Sequence, residues 1–384
     1  MRKKLKILSL FANTGVAESL LHETNAEVVI ANEIDDRRCK FYQSIYPKTK
    51  VVCGDIRNKE IFSTIVKEAI KSKIDLIIST PPCQGMSTVG KQDKFDKRNQ
   101  LIYYALEIIK KVKPKYVLIE NVPQQLKTSI LVNNIFLFIP EYIKQSLKKE
   151  YYIKDSIINS ADYGVPQIRK RSLFLLTRKN IENTLDFLNK SEFSKHTTLE
   201  ESIGHLPSLD PKIQGFSDKE QLNYFPEFEI KKNRALQISH WHRPPLHKIR
   251  HVEVMLRTSE GCSALSNKVF YPKKADGTKI KGYKNTYRRQ LWNRPSYTVT
   301  TYNGAICSQD NVHPGREFSL NNEKIYSDPR VFSILELMIV MSIPTRWEIP
   351  HWANDSLIRH SIGEGLPPLV LKKIIDKLFL KNES

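Results

Sequence analysis

The sequence predicts an α/β protein built on a doubly wound, mostly parallel sheet, with a second, smaller domain attached. Three observations predict it. The first 180 residues alternate short β-branched apolar runs with amphipathic stretches, the rhythm of strands crossing over through helices. Beyond Thr177 that rhythm gives way to longer loops, with Pro244-Pro245 and turns at Pro207-Ser208 and Asp276-Gly277. A chain of 384 residues also exceeds the roughly 250–300 that one core serves.

The elements follow in order. Leu5–Phe11 is a largely apolar run leading into a turn at Gly15, so it reads as a buried first strand, with a helix expected over Val16–Thr24. Strands are expected next at Glu27–Asn32, Lys50–Cys53, Asp75–Ser79 and Tyr116–Glu120, separated by helices near Asp35–Tyr46, Lys59–Lys71 and Arg98–Lys111. Tyr152–Asn159 and Ser172–Thr177 complete the sheet, and helical periodicity returns at Phe332–Met341 and Leu369–Leu380. The expected division is a first domain over 1–180, a second over 181–352, and a C-terminal helix over 353–384 that returns to the first.

Composition narrows the function. With 61 Lys+Arg against 41 Asp+Glu the formal charge is +20, which points to a polyanionic partner rather than to mere solubility. Its densest basic stretch, Lys268–Arg289, carries Lys268, Lys273, Lys274, Lys279, Lys281, Lys284, Arg288 and Arg289 against Asp276 alone, interleaved with Tyr271, Tyr283 and Tyr287. No apolar run approaches the ~20 residues of a membrane span, and Met1–Lys6 with Ile7–Ala12 is too short for a secretion signal. Five scattered cysteines without a Cys-x-x-Cys pair suggest neither a disulfide framework nor a metal site, so a reducing cytoplasm is expected.

The strand ends carry the chemistry. Open α/β sheets bind nucleotides at the carboxyl ends of their strands. There, Glu33 suits two ribose hydroxyls and Asp55 an adenine amino group, while the lone Gly15 replaces the glycine fingerprint that a pyrophosphate needs. S-adenosylmethionine meets that demand, with its carboxylate accepted by a helix N-terminus. At the same edge Thr80-Pro81-Pro82-Cys83-Gln84 presents a cysteine, Tyr116–Asn121 ends in Glu120, and Arg169 and Arg171 alternate onto one face of an extended chain.

In this order and spacing the sequence closely resembles the cytosine-5 DNA methyltransferases of bacterial restriction-modification type. The resemblance rests on Phe11-Ala12-Asn13-Thr14-Gly15, Asn32-Glu33, Gly54-Asp55-Ile56, Pro82-Cys83-Gln84, Glu120-Asn121-Val122 and Gln167-Ile168-Arg169-Lys170-Arg171. It continues in Arg294–Thr301 and Ile362–Leu369, so it spans 5–180 and about 290–380. It implies a Rossmann-like methyltransferase fold, S-adenosyl-L-methionine as cofactor, double-stranded DNA as substrate and a target-recognition domain over 181–352. The positions matching the cofactor site are Phe11, Ala12, Asn13, Gly15, Glu33, Ile34, Asp55, Ile56, Pro82, Leu101, Glu364 and Gly365.

The implied chemistry explains the residue types. Carbon 5 of cytosine is a poor nucleophile until a thiolate, here Cys83, adds at carbon 6 of a base flipped out of the duplex. Glu120 then serves ring nitrogen 3 and Arg171 the exocyclic oxygen, with Arg169 shared between a backbone phosphate and the site. On the DNA side stand Gln84, Ser87 in the loop Gly85–Lys97 that resembles the family's catalytic loop, Arg98 opening the following helix, and Lys279, Lys281, Lys284, Arg288, Arg289 and Arg294. A monomer is expected, with a companion restriction endonuclease acting on the same site. Three departures stand out: Asn13 and Val16 replace usual turn glycines, and Glu364 replaces a usual asparagine. A transfer-RNA methyltransferase and a non-catalytic DNA-binding relative are the rival readings.

Overall fold

In a computed structural model, which describes residues 4–82, 100–132, 135–181, 195–274 and 276–380, the apolar runs form one seven-stranded sheet. Its strands are β1 (Leu5–Leu10), β2 (Ala26–Glu33), β3 (Lys50–Cys53), β4 (Leu76–Ser79), β5 (Tyr116–Asn121), β8 (Tyr151–Asn159) and β9 (Lys170–Arg178). They lie in the order β3-β2-β1-β4-β5-β9-β8. The first five run parallel, and β9 pairs antiparallel with both β5 and β8. The strand order reverses between β1 and β4, which opens a crevice at their carboxyl ends. A hairpin of β6 (Ser129–Val132) and β7 (Ile135–Phe138) branches off after β5.

Both faces of the sheet are covered, which is why its strands read as nearly unbroken apolar runs. Alternate residues serve alternate faces. Leu8 and Leu10, Val117 and Ile119, and Phe174 and Leu176 pack on one side against α2 (Lys59–Ser72), α3 (Leu101–Val112) and α4 (Ile139–Leu147). Ile7, Tyr116, Leu118, Leu173 and Leu175 pack on the other against Val370, Leu371, Ile374, Ile375 and Leu378 of α11 (Pro368–Leu380). A third cluster joins Val16 and Phe41, the latter on α1 (Asp36–Ile45), to Leu199, Trp241, Val299, α9 (Ile334–Val340) and Ile358 and Ile362 of α10 (Asp355–Glu364).

The loop-rich interval holds more helix than its sequence rhythm indicates: α5 (Leu199–Ile203), α6 (Asp218–Tyr224), α7 (Phe228–Ile238) and α8 (Ile249–Leu256). Short strands accompany them at β10 (Lys212–Ile213), β11 (Leu246–His247), β12 (Glu317–Leu320) and β13 (Glu323–Tyr326). Capping boxes start three helices, with Thr198, Ser217 and Ser333 each paired to a glutamate three residues on. No described helix is long and apolar enough to cross a membrane.

Two expectations are corrected. No α-helix forms over Val16–Thr24; successive turns bond Glu18 N to Gly15 O and Leu21 N to Glu18 O, and only Leu21–Glu23 makes a single 3-10 turn. The reason is inward polarity, since Glu18 and Ser19 are buried rather than solvated. Second, Cys39 and Cys53 are bonded as a disulfide with Cα atoms 6.0 Å apart. The α1 connection returns one beside the other, a proximity that fourteen residues of separation do not announce.

Burial also tunes Glu18. It pushes the carboxyl up from 4.5 to about 7, against hydrogen bonds from Ser9 and Tyr42. A raised carboxyl favours folding while protonated, so its contribution falls as pH rises from 4.5 towards 7 and stays lost above. Glu18→Gln should therefore stabilise the fold by roughly 3 kcal/mol at pH 8, shrinking below about 1 kcal/mol at pH 5. Urea unfolding at both values checks this; an effect independent of pH would show that Glu18 does not titrate in this window.

Candidate active site

The crevice is built at the carboxyl ends of β1, β2, β3, β4 and β5. After β1 the chain enters left-handed backbone at Phe11 (φ 60°) and Asn13 (φ 52°), then at Gly15 (φ 77°). Gly15 has no substitute there: a Cβ would collide with the rings of Tyr42 and Tyr46, and its carbonyl accepts the Tyr46 hydroxyl at 2.7 Å. Asparagine tolerates this conformation better than most residues, which is how Asn13 stands where a glycine is usual. Ala12 N reaches back to Asn32 O at 2.9 Å, stitching the turn to β2.

Glu33, at the end of β2, is buried and accepts three backbone N–H groups: Asn13 at 2.9 Å, Ile34 at 2.9 Å and Asp35 at 3.1 Å. Those bonds fix the carboxylate at the crevice without using every lone pair. Ile34 beside it is 60% exposed. Asp55 follows β3 and is clamped by Arg57 at 2.6 Å, which holds its carboxyl below the usual range and keeps it an ionised acceptor. Ile56 is buried beneath, and Leu101 packs at the start of α3.

The three sequence departures prove to be one arrangement. Asn13 Nδ2 donates to Glu364 Oε2 at 3.1 Å and to Ser361 O at 3.3 Å, so the turn glycine's replacement bonds the asparagine's replacement across 351 residues. Arg38 Nη1 sits 2.8 Å from the same carboxylate, and His360, one turn earlier on α10, lies 2.9 Å from its other oxygen. Asp35 caps α1 and thereby aims Arg38. Burial would raise the Glu364 carboxyl, but His360 and Arg38 outweigh it and hold it low. Val16 is the reason for Gly365, where a Cβ would approach Val16 Cγ1 to 2.6 Å. Asn13, Arg38 and His360 thus all engage the Glu364 carboxylate.

The reactive edge adjoins this turn. Thr80 Oγ1 donates to Phe11 O at 3.1 Å, and Asn121 Nδ2 to Pro81 O at 3.0 Å, so both neighbours hold the Thr80–Pro82 approach to Cys83. Cys83, Gln84, Ser87 and Arg98 themselves lie outside the described residues. Asn121, which the sequence presents only as part of Glu-Asn-Val, is the residue that ties β5 to that approach. Because β9 runs antiparallel to β5, its first residues lie beside the last of β5. Arg171 Nε accordingly sits 2.9 Å from Glu120 Oε1. Glu120 is buried, and burial raises its carboxyl against the opposing pull of Arg171 and Arg169.

Two arginines are not where the sequence reading put them. Arg169 is 1% exposed and donates to Val299 O at 2.7 Å, Gly363 O at 2.8 Å and Glu364 O at 3.3 Å, so no backbone phosphate reaches it. Arg289 is 0% exposed and donates to the carbonyls of Thr258, Met255, His313 and Pro314; burial brings it down to about 10. The segment Pro166–Arg169 zips onto Ser296–Val299 through Ile168 N to Ser296 O (2.8 Å), Ser296 N to Pro166 O (2.9 Å) and Thr298 Oγ1 to Ile168 O (2.7 Å). Lys279, Lys281, Lys284 and Arg294 are exposed, and Arg288 is half-buried.

Asn13→Gly and Glu364→Asn should each destabilise the chain, and the double variant should lose less than their sum, by about 0.5–3 kcal/mol of coupling. Urea unfolding of all four proteins measures it; strict additivity would dissolve the link between turn and helix.

Comparison with known proteins agrees with this geometry. The model for C-5 cytosine-specific DNA methylases matches residues 5–380. The Type II methyltransferase M1.HgaI of Avibacterium volantium is 39% identical over 387 aligned positions, covering 100% of both chains. M.DdeI of Desulfomicrobium norvegicum is 24% identical over 97% of this chain and 88% of its own. Among solved structures, an E. coli prophage protein described as a DNA modification methyltransferase is similar with a TM-score of 0.66 and 20% identity, covering 99% of this chain and 100% of its own. The Dnmt2 methyltransferase of S. pombe gives 0.57 and 15%, covering 99% and 100%. These two show the fold, while the match from the first strand to the last helix settles the family: the chain belongs to the C-5 cytosine-specific DNA methylases.

Proposed function

We propose that the chain transfers a methyl group from S-adenosyl-L-methionine to carbon 5 of a cytosine flipped out of a specific duplex DNA sequence, as the modification half of a restriction-modification pair. The observation that carries this reading is the buried Glu120 carboxyl paired with Arg171 at the edge where the Thr80–Pro82 approach ends. Burial favours the neutral carboxyl, the form that can give a proton, and the guanidinium beside it supplies donors for a carbonyl oxygen. Those two groups complement ring nitrogen 3 and the exocyclic oxygen of a cytosine.

The crevice fits the cofactor by its donor set. Glu33 and the ionised Asp55 accept hydroxyl and amino protons, the exposed Ile34 offers apolar surface to a flat ring, and the turn lacks the glycines that a pyrophosphate demands. Phe11, Ala12, Asn13, Gly15, Pro82 and Leu101 complete the wall. S-adenosylmethionine, when bound, supplies the methyl group that carbon 5 receives.

The chain's own residues do the rest. The Cys83 thiolate forms a bond to carbon 6, and the displaced ring electrons move towards nitrogen 3, where Glu120 donates its proton. Arg171 steadies the exocyclic oxygen. Arg169 acts one step back, holding the strand start from which Arg171 projects. After methylation a base removes the carbon 5 proton, the double bond re-forms and the cysteine leaves. Residues 1–180 serve as the catalytic part, 181–352 as the recognition part facing duplex DNA, and 353–384 as a helix completing the first. The protein works as a monomer in the cytoplasm beside a nuclease of the same specificity.

Methyl transfer from isotopically labelled S-adenosylmethionine to unmethylated genomic DNA, mapped at base resolution, tests the reading. Label at carbon 5 of cytosine in one short sequence is expected, with Cys83→Ala losing turnover at least a thousandfold while still binding cofactor. Label in transfer RNA and none in DNA would overturn it.

A further inference from the structure

The structure sorts the basic residues of the recognition part into three kinds. Arg289 is buried and holds loop carbonyls. Lys279, Lys281 and Lys284 are exposed on flexible stems, and Lys279 leans over the Tyr271 ring, 4.6 Å from its centroid, with a long hydrogen bond of 3.5 Å to Leu265 O. Arg288 is unlike either. Its Nε donates to Gly261 O at 3.1 Å, its Nη1 lies 3.7 Å from Asp310 Oδ1, and its guanidinium sits 5.5 Å from the centre of the Tyr297 ring.

That combination fixes a plane. A carbonyl, a carboxylate and a ring each restrain the guanidinium, and at most two of its five N–H donors are engaged by those partners, leaving a rigid fork with donors to spare. Its neighbour Tyr297 belongs to the segment zipped to Pro166–Arg169, so the fork is tied by short contacts to the site of Glu120 and Arg171. On its other side an open groove is lined by Gly261, Cys262, Ser263, Tyr283 and Lys284, with Tyr283 74% exposed.

We propose that Arg288 is a specificity-determining residue that reads a guanine in the target sequence through the O6 and N7 acceptors of its major-groove edge, with Asp310 and Gly261 O holding the fork in place. Phosphates ask only for positive charge in reach, which a lysine on a mobile stem provides. A base edge asks for paired donors at fixed spacing and angle, and the commonest such contact is an arginine fork on guanine. A charge restrained on three sides has already lost the freedom that a phosphate contact would not require it to lose. Asp310 lies 3.7 Å from the arginine as its counter-charge, and a carboxylate placed there can accept from the amino group of the paired cytosine.

This rests on the reading of the chain as a DNA methyltransferase, and the experiment separates the two. Base-resolution methylation maps and the salt dependence of DNA binding are measured for the wild type, Arg288→Ala, Arg288→Lys and the triple Lys279→Ala/Lys281→Ala/Lys284→Ala variant. Arg288→Ala and Arg288→Lys should both admit other bases at one guanine position of the site, cutting discrimination there on the order of 10- to 100-fold. The lysine variant keeps the charge, so its relaxed specificity and unchanged salt slope mark loss of the fork. The triple variant should keep the sequence and flatten the slope by up to about 3. Arg288 variants that weaken all sequences alike, with full specificity, would make Arg288 a phosphate contact and overturn the proposal. So would unaltered specificity in a folded Arg288→Lys protein. A wild type that methylates no DNA would instead overturn the functional reading beneath it.

Discussion

A single buried guanidinium holds the site together. Arg169 is 1% exposed, and an arginine charge taken so far from water costs several kcal/mol unless its donors are met. The carbonyls of Val299, Gly363 and Glu364 accept from its two terminal nitrogens, and these come from two segments, about 130 and 195 positions further along the chain. The constraint runs both ways. The strand start from which Arg171 projects is fixed by the end of α10 and by the Ser296–Val299 segment, so the Glu120–Arg171 pair inherits its geometry from parts of the chain that never touch it.

The same fastening explains why the turn after β1 tolerates its unusual residues. Gly363 and Glu364 are held from below by Arg169, and Glu364 then holds Asn13 from the side. A turn shaped by glycines alone is permissive; one carrying Asn13 and Val16 needs an external template, and the end of α10 provides it. Gly365 is the clearance that lets Val16 fit. The departures from the family pattern are therefore mutually compensating rather than independent losses.

How much of this was legible in the sequence depends on the range of each interaction. The strands were legible because both faces of the sheet are apolar, and Glu33, Glu120 and Arg171 were legible because each ends or begins a strand. The expected helix over Val16–Thr24 fails because Glu18 turns inward, which a helical pattern of apolar residues does not register. Arg288 and Arg289 read as equivalent basic neighbours, yet Arg289 bridges to both Glu260 and Val312 and points inside. Nor does spacing reveal that Cys39 meets Cys53, or that Asn13 meets Glu364. Local pattern reports an element's faces; it does not report which distant carbonyl or carboxylate a side chain will find.

The segment 249–326 shows what takes over from an apolar core away from the larger cluster of Leu199, Trp241, Val299 and α9. Its cluster around Val254, Met255, Ala264, Tyr287 and Val312 is small, and much of its backbone is loop, whose carbonyls have no strand partner to satisfy them. Arginine suits that problem because one side chain brings five donors on a rigid plane. Arg289 spends its donors on four loop carbonyls, and Arg330, also 0% exposed, joins Leu209 O and Val331 O to the carboxylates of Asp328 and Glu336. Each buried charge is costly alone, and each is stabilised only when the loops adopt one arrangement. Polar fastening of this kind trades net stability for definition, because a displaced loop strands a charge where a displaced methyl group would lose only contact area.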